Sequence, residues 1–228
     1  MTTPSPPLSD PVPAEPMHIV SRWLQDAWTL RQQPNPNAMV LATATADGAP
    51  SARVVLCKGL VEEPGYLVFY TNYQSRKGVE LGESPRAAAV MHWDYLHRQV
   101  RITGPVTRSP AAESDAYFAS RPWPSRVAAW ASAQSRSIGS RADLVAAVTA
   151  AAERLGVPNP AEEPAEGADF SIARPPYWGG YRLWAGSVEL WQEGKSRIHD
   201  RFSWSRKLDP DGRQGFATGP WSITRLQP

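Results

Sequence analysis

The sequence predicts an α+β protein, mainly antiparallel, whose strands close wholly or partly into a barrel. Strand-like segments joined by hairpin turns recur along the chain, at least seven of them, and helices interrupt them without a βαβ alternation. That many strands in one sheet leave sticky edges, which closure removes. The sequence holds no GxGxxG and no Walker loop, which argues against a Rossmann or P-loop enzyme.

The elements follow in order. Residues 17–33 place Ile19, Trp23, Ala27 and Leu30 at helical spacing, giving an amphipathic helix. Residues 38–46 are strand-like, Asp47-Gly48 is a hairpin signal, and 49–58 form the return strand. A third strand covers 66–72. Ser75 then caps a helix over 76–83. Segments 86–93 and 98–107 pair as the next two strands. Residues 110–121 and 125–134 read as helices separated by Pro122 and Pro124, with Ser125 as an N-cap. Ser140 caps a helix through Leu155, stopped by Gly156 and Pro158. Strands return at 179–185, 187–193, 198–206 and 220–226.

The chain has 228 residues, enough for one sizeable domain over 17–228. Residues 1–16 carry six prolines and little that packs, so a disordered leader is expected there. Residues 157–176 mix Pro, Glu, Ala and Gly and read as a long loop with scope to move. Net charge is +2, too small for a global field suited to nucleic acid. Cys57 is the single cysteine, so neither an intramolecular disulfide nor a cysteine-based zinc site is available, in keeping with a reducing cytosol. No apolar run approaches the ~20 residues of a membrane span. A cytoplasmic protein is expected, without membrane or nucleic-acid partners.

Anion binding must then come from local clusters. If 197–201 is a strand, Arg197, His199 and Arg201 share one face. Three stacked cations repel unless an anion sits against them, although a solvated face with counter-ions gives the same pattern. Tyr70-Thr71-Asn72 runs into Ser75-Arg76-Lys77 at a helix N-terminus. The helix dipole disfavours cations there, and a bound phosphate would supply the reason for them; side chains pointing into water are the alternative. Arg53 and Lys58 end one strand on opposite faces, and in isolation they read as ordinary charged strand ends. Tyr117 and Arg121, four apart on a helix, could join Ser125 around a second phosphate, or belong to a plain helical hairpin. Gln99, Gln134, Ser135 and Trp191 carry little signal alone. His18, His92 and His97 lack metal-ligand spacing, and no Ser/His/Asp arrangement stands out.

Eight segments taken together are more specific. ARVVLCK, VFYTNYQSRK, RQV, YFASRPWPS, WASAQSRSIGSR, YWGGYR, ELWQEGKSRIHDRF and RLQP, in this order over roughly 20–228, resemble the pyridoxamine 5′-phosphate oxidase family. The resemblance implies an FMN-binding split β-barrel with surrounding helices, forming a homodimer with FMN at the subunit interface. It implies flavin contacts from Arg53, Lys58, Tyr70, Thr71, Arg76, Lys77, Gln99, Gln134, Ser135, Trp191 and Arg201, with Arg76 and Lys77 on the FMN phosphate. Lys58, Tyr117, Arg121 and Ser125 would meet the substrate phosphate. Arg197 and His199 would face the substrate ring as catalytic residues. The implied reaction oxidises pyridoxine or pyridoxamine 5′-phosphate to pyridoxal 5′-phosphate with dioxygen, giving hydrogen peroxide, and ammonia from the amine. Members often carry an N-terminal Arg-x-x-Tyr segment that closes over substrate, but 1–16 hold neither residue. Trp123-Pro124 is also bulkier than the family pattern. Two rivals share the flavin residues: an oxidase of the phenazine-biosynthesis type acting on another substrate, and a non-catalytic FMN- or pyridoxal-phosphate-binding barrel.

Overall fold

The computed structural model describes residue 8 and residues 10–160 and 169–228. Helix α1 (Met17–Leu30) precedes a hairpin of β1 (Ala38–Ala44) and β2 (Pro50–Leu56), then β3 (Gly59–Val61) and β4 (Tyr66–Asn72). Helix α2 (Arg76–Glu83) leads into the long pair β5 (Arg86–Trp93) and β6 (Arg98–Arg108). Three helices follow, α3 (Ala111–Ala119), α4 (Trp123–Ala131) and α5 (Arg141–Leu155). The chain then returns to strands β7 (Trp178–Trp184), β8 (Ser187–Gln192) and β9 (Asp200–Ser205), the small hairpin β10 (Leu208–Pro210) and β11 (Phe216–Thr218), and β12 (Ser222–Arg225).

Ten strands form one sheet, and every described pairing is antiparallel. Strand β6 is the branch point. Its first half, Arg98–Thr103, pairs with β8, while Val106–Arg108 pair with β7. β7 in turn pairs with β4 along its whole length. The sheet must therefore bend at Gly104 and Pro105. A methyl group at Gly104 would overlap the carbonyl oxygen of Trp184, so only glycine lets the two branches approach this closely. The α+β, mainly antiparallel class expected from the sequence is the class observed.

Two apolar clusters hold the fold. The larger fills the curled sheet with Trp23, Leu41, Phe69, Trp93, Ile102 and Trp204, each at most 1% exposed. The smaller lies under α3, α4 and α5 and contains Phe118, Trp123, Val127 and Trp178. Tyr70 and Tyr117 pack at its margin and turn one side toward solvent. That margin becomes the wall of the candidate site.

Several boundaries differ from expectation. Residues 197–201 are not a strand: Lys195–Arg197 form a single 3₁₀ turn, and β9 begins only at Asp200. Ser196 and Arg197 have φ of 56° and 64°, the left-handed region, so period-two alternation does not apply to them. Helix α3 ends at Ala119, leaving Arg121 beyond its last turn. α4 starts at Trp123 with Pro122 before it, so Ser125 lies in the first turn and is not the cap. Prolines suit that first turn because their missing N–H has no helical partner there. The short strands 59–61, 208–210 and 216–218 had no periodic signal. Of the leader expected over 1–16, residues 1–7 and 9 lie outside the described residues. Leu8 and 10–16 are tied down: Leu8 is buried with its N–H on Gln192 Oε1 at 2.9 Å, Asp10 pairs with Arg225 at 2.6 Å, and Trp204 Nε1 donates to Pro13 O at 3.1 Å. Residues 161–168 of the expected loop likewise lie outside the described residues, and Phe170 beyond them packs against Trp123, ring centroids 5.1 Å apart.

Candidate active site

The turn from β4 into α2 builds one wall of a cavity of about 360 Å³. Asn72 accepts from Gln74 N at 2.7 Å and donates to Ser132 O at 3.1 Å, which pins the turn to the segment after α4. Ser75 caps α2, its Oγ accepting from Gly78 N. Gly78 is required there, because a side chain would collide with the Tyr73 carbonyl. This geometry turns Lys77 inward. Its Nζ donates to Thr71 Oγ1 at 3.0 Å, Ser75 Oγ at 3.1 Å and Gln134 Oε1 at 2.8 Å. All three acceptors are neutral. Burial, and then the neighbouring Arg53 charge, push the Lys77 ammonium down to about 8, with Glu80 opposing. A bound anion would relieve this strain on the charged form.

Arg53, midway along β2, and Lys58, just beyond its end, reach the same cavity. Their alternation does not separate them, because β2 stops at Leu56 and the chain turns before Lys58. Opposite them stands an aromatic wall. Tyr70 stacks on Tyr117 at 3.9 Å and on Trp178 at 5.6 Å, with interplanar angles of 16° and 10°. Glu113 fixes Tyr70 from behind; its Oε1 accepts from Ser109 Oγ at 2.8 Å and, at 3.4 Å, from the Tyr70 hydroxyl, while Arg182 pairs with Oε2. Burial first, and then the Glu113 charge, raise the Tyr70 phenol, so it stays protonated. Arg121 lies over Trp178 at 4.8 Å and Phe118 at 5.6 Å. Its Nη1 is buried without a hydrogen-bond partner among the described residues, and burial lowers its pKa. A cationic cavity with flat aromatic walls suits a planar ligand that carries phosphate.

The structure thus gathers eight of the expected residues at one cavity: Arg53, Lys58, Tyr70, Thr71, Lys77, Tyr117, Arg121 and Gln134. Arg76 and Ser135 line an adjoining cavity of about 370 Å³ with Glu80. Ser125 lines a third, with Pro124 and Arg141. The remaining residues form a separate group. Gln99, Trp191 and Arg201 stand in register across β6, β8 and β9. Arg201 is paired with Glu189 at 3.0 Å. His199 lies 4.8 Å from the Trp191 ring and accepts from Gly194 N at 3.1 Å, while Arg197 is exposed. None of these five lines the first cavity.

Three contributors were not expected: Glu80, Glu113 and Trp178. Glu80 had a legible signal, standing four residues after Arg76 on one helix face. Glu113 and Trp178 had none, since the packing of α3 on β7 brings Glu113 to Tyr70 and the pairing of β7 with β4 brings Trp178 there. Among the described residues no group of three His, Cys, Asp or Glu side chains could hold a metal ion, and no helix is long and apolar enough to cross a membrane.

Residues 29–154 match the family model described as pyridoxamine 5′-phosphate oxidase, and 178–228 match that of the pyridoxine 5′-phosphate oxidase C-terminal dimerisation region. The second match supports a homodimer. A pyridoxine/pyridoxamine 5′-phosphate oxidase of Burkholderia lata is 48% identical over 94% of this chain and 89% of its own. The crystal structure of PhzG from Burkholderia lata, in complex with tetrahydrophenazine-1-carboxylic acid, is similar with a TM-score of 0.77 and 32% identity, covering 96% of this chain and 95% of that one. A pyridoxamine 5′-phosphate oxidase-related, FMN-binding protein of Nostoc punctiforme shares the fold, with a TM-score of 0.66 at 18% identity, covering 95% of this chain and 99% of that one. The split β-barrel expected from the sequence is the fold of these neighbours. The chain belongs to the pyridoxamine 5′-phosphate oxidase family.

Proposed function

We propose that this member of the pyridoxamine 5′-phosphate oxidase family converts pyridoxine 5′-phosphate or pyridoxamine 5′-phosphate to pyridoxal 5′-phosphate. Its cofactor is FMN. The residues fit that group: the Lys77 ammonium, held among the described residues by three neutral oxygens, suits the flavin phosphate, and Tyr70 and Thr71 offer polar atoms in the same cavity. When bound, FMN would supply the redox chemistry, as acceptor of the hydride equivalent from substrate C4′, with dioxygen as the final oxidant and hydrogen peroxide as its product.

The observation that carries the substrate assignment is the unpartnered Arg121 nitrogen in the same cavity as Lys58 and Tyr117. A desolvated guanidinium with no carboxylate partner among the described residues is costly in the free protein, and a substrate phosphate would offset that cost. Ser125 belongs to this set by resemblance. Arg197 and His199 orient the pyridine ring so that C4′ is held in a reactive position. Because Gln99, Trp191, Arg197, His199 and Arg201 stand apart from the cavity within one chain, we assign them to the cavity of the partner subunit in the homodimer.

The likeness to PhzG favours a second reading, oxidation of a tricyclic carboxylic acid, whose carboxylate Arg121 would hold. Supporting the first reading, the chain is 48% identical to the Burkholderia lata oxidase and 32% identical to PhzG from the same species. The purified FMN-loaded protein, given pyridoxine 5′-phosphate in air, should form aldehyde and peroxide. Anaerobic flavin that stays oxidised with both vitamer phosphates would rule the first reading out. Reduction by a dihydro- or tetrahydrophenazine carboxylic acid alone would establish the second. Arg197→Ala should cut turnover strongly while leaving FMN bound.

A further inference from the structure

We infer that Glu80 is a positioning residue for the cofactor: one buried carboxylate holds Arg53 and Arg76 in place around Lys77, so that three cations meet the flavin phosphate as a preformed cradle. The inference rests on the assignment of Arg53, Arg76 and Lys77 to FMN. Glu80 projects from α2 and is 2% exposed. Its Oε1 accepts from Arg76 Nε at 2.9 Å and its Oε2 from Arg53 Nη2 at 3.2 Å. Ser51 Oγ donates within 2.8 Å and 2.7 Å of the two oxygens, and Thr43 Oγ1 donates to Oε2. Arg53 is held further by Leu41 O at 3.1 Å. Burial alone would raise the Glu80 carboxyl. The hydrogen bonds from Ser51, Thr43 and Arg76, with the Arg53 charge, outweigh burial and hold it down to about 2.

Two features set this apart from an ordinary helix staple. Arg76 is 62% exposed, and Glu80 is the partner that fixes its guanidinium. Without it a long, flexible side chain would have to be ordered by the ligand itself. Moreover, the network joins elements that the cradle draws on separately, β2 for Arg53 and α2 for Arg76 and Lys77. By charge alone a carboxylate beside an anion site is unfavourable, since it repels phosphate. Its presence is explained if geometry outweighs that repulsion.

The sign of the effect is therefore diagnostic. If Glu80 were only a nearby negative charge, Glu80→Gln would tighten FMN binding, and Glu80→Asp, which keeps the charge, would change nothing. If it positions the arginines, both variants weaken FMN. The full-length protein, freed of flavin, is titrated with FMN and with riboflavin, which lacks the phosphate, by flavin fluorescence quenching; near-UV circular dichroism reports packing. We expect FMN affinity to fall roughly tenfold or more in both variants, by analogy with residues that orient ligands from behind, with riboflavin affinity holding within about twofold. Unchanged or tighter FMN binding, while Arg76→Ala selectively weakens FMN, would overturn the role of Glu80 and leave the cradle assignment standing. An equal loss for FMN and riboflavin in Glu80→Asp would make Glu80 a structural staple, and would overturn the inference even if Glu80→Gln does not fold. If Arg53→Ala, Arg76→Ala and Lys77→Ala all leave the FMN-to-riboflavin ratio unchanged, the cradle itself is wrong and the inference falls with it.

Discussion

Arg121→Met removes a guanidinium whose Nη1 is buried without a partner, and keeps an apolar chain against Trp178 and Phe118. The substitution acts oppositely on binding and on stability. A hydrogen bond to a charged group is worth about 1.5–3 kcal/mol, and at about 1.4 kcal/mol per decade its loss lowers kcat/KM for pyridoxine 5′-phosphate by roughly ten- to 150-fold. In the free protein the buried Nη1, with no hydrogen-bond partner among the described residues, carries a desolvation cost of about 1–3 kcal/mol. Methionine relieves it and makes favourable sulfur–aromatic contacts. Melting temperature should therefore hold or rise, by about 2–4 °C per kcal/mol for a chain of this size. Steady-state kinetics and thermal melts of the same preparations give both numbers, and binding of unphosphorylated pyridoxine, read from the flavin spectrum, serves as control. A melting temperature several degrees lower, or an equal loss of phosphorylated and unphosphorylated ligand, would show that Arg121 is a structural cation on an aromatic shelf. The phosphate assignment would then fail.

Lys77 gives a pH signature. Its folded pKa, about 8, lies below the ordinary lysine value of 10.5, so between these two the folded flavin-free protein releases its proton before the unfolded chain does. The stability of the flavin-free protein from this group therefore rises with pH across that window, while FMN affinity falls above pH about 8 by up to ~tenfold per unit, because the phosphate needs the ammonium. Fluorescence titrations should show both trends, and Lys77→Met should abolish them. Gly104→Ala places a methyl on the Trp184 carbonyl, a backbone group that cannot step aside; a loss of about 1–3 kcal/mol or more is expected in urea unfolding. Mixing Lys77→Ala and Arg201→Ala protomers should restore about one quarter of wild-type activity, since half the dimers would be mixed and each would hold one intact site. No recovery would place both groups in the same subunit's site.

Legibility in the sequence tracked how local each cause was. Helix α2 was expected over 76–83 and is observed over Arg76–Glu83, because Ser75 caps it within three residues. α5 begins after Ser140 and ends at Gly156 in the left-handed conformation, again from local chemistry. The β1–β2 hairpin follows from Asp47-Gly48, with Gly48 at φ 89°. By contrast, 197–201 failed as a strand because two successive left-handed residues, Ser196 and Arg197, turn the chain, and neither is a glycine that would have signalled it. The Arg121 environment was equally hidden, since α3 ends before that residue reaches the helical face assumed for it.

The amino-acid sequence by itself determined the α+β class, the capped helices, the hairpins and the cationic clusters, because capping, turn chemistry and periodicity act over a few residues. Only the tertiary structure decided which clusters share a cavity. Lys58 meets Arg121, and Gln134 meets Lys77, because β2, β4 and the ends of α3 and α4 converge from distant parts of the chain. It also decided which charges are left unsatisfied. Arg121 keeps an orphaned nitrogen in the cavity wall, while Arg53 and Arg76 are matched by Glu80. Desolvation and pairing depend on what packs against a side chain, and that is a property of the fold as a whole.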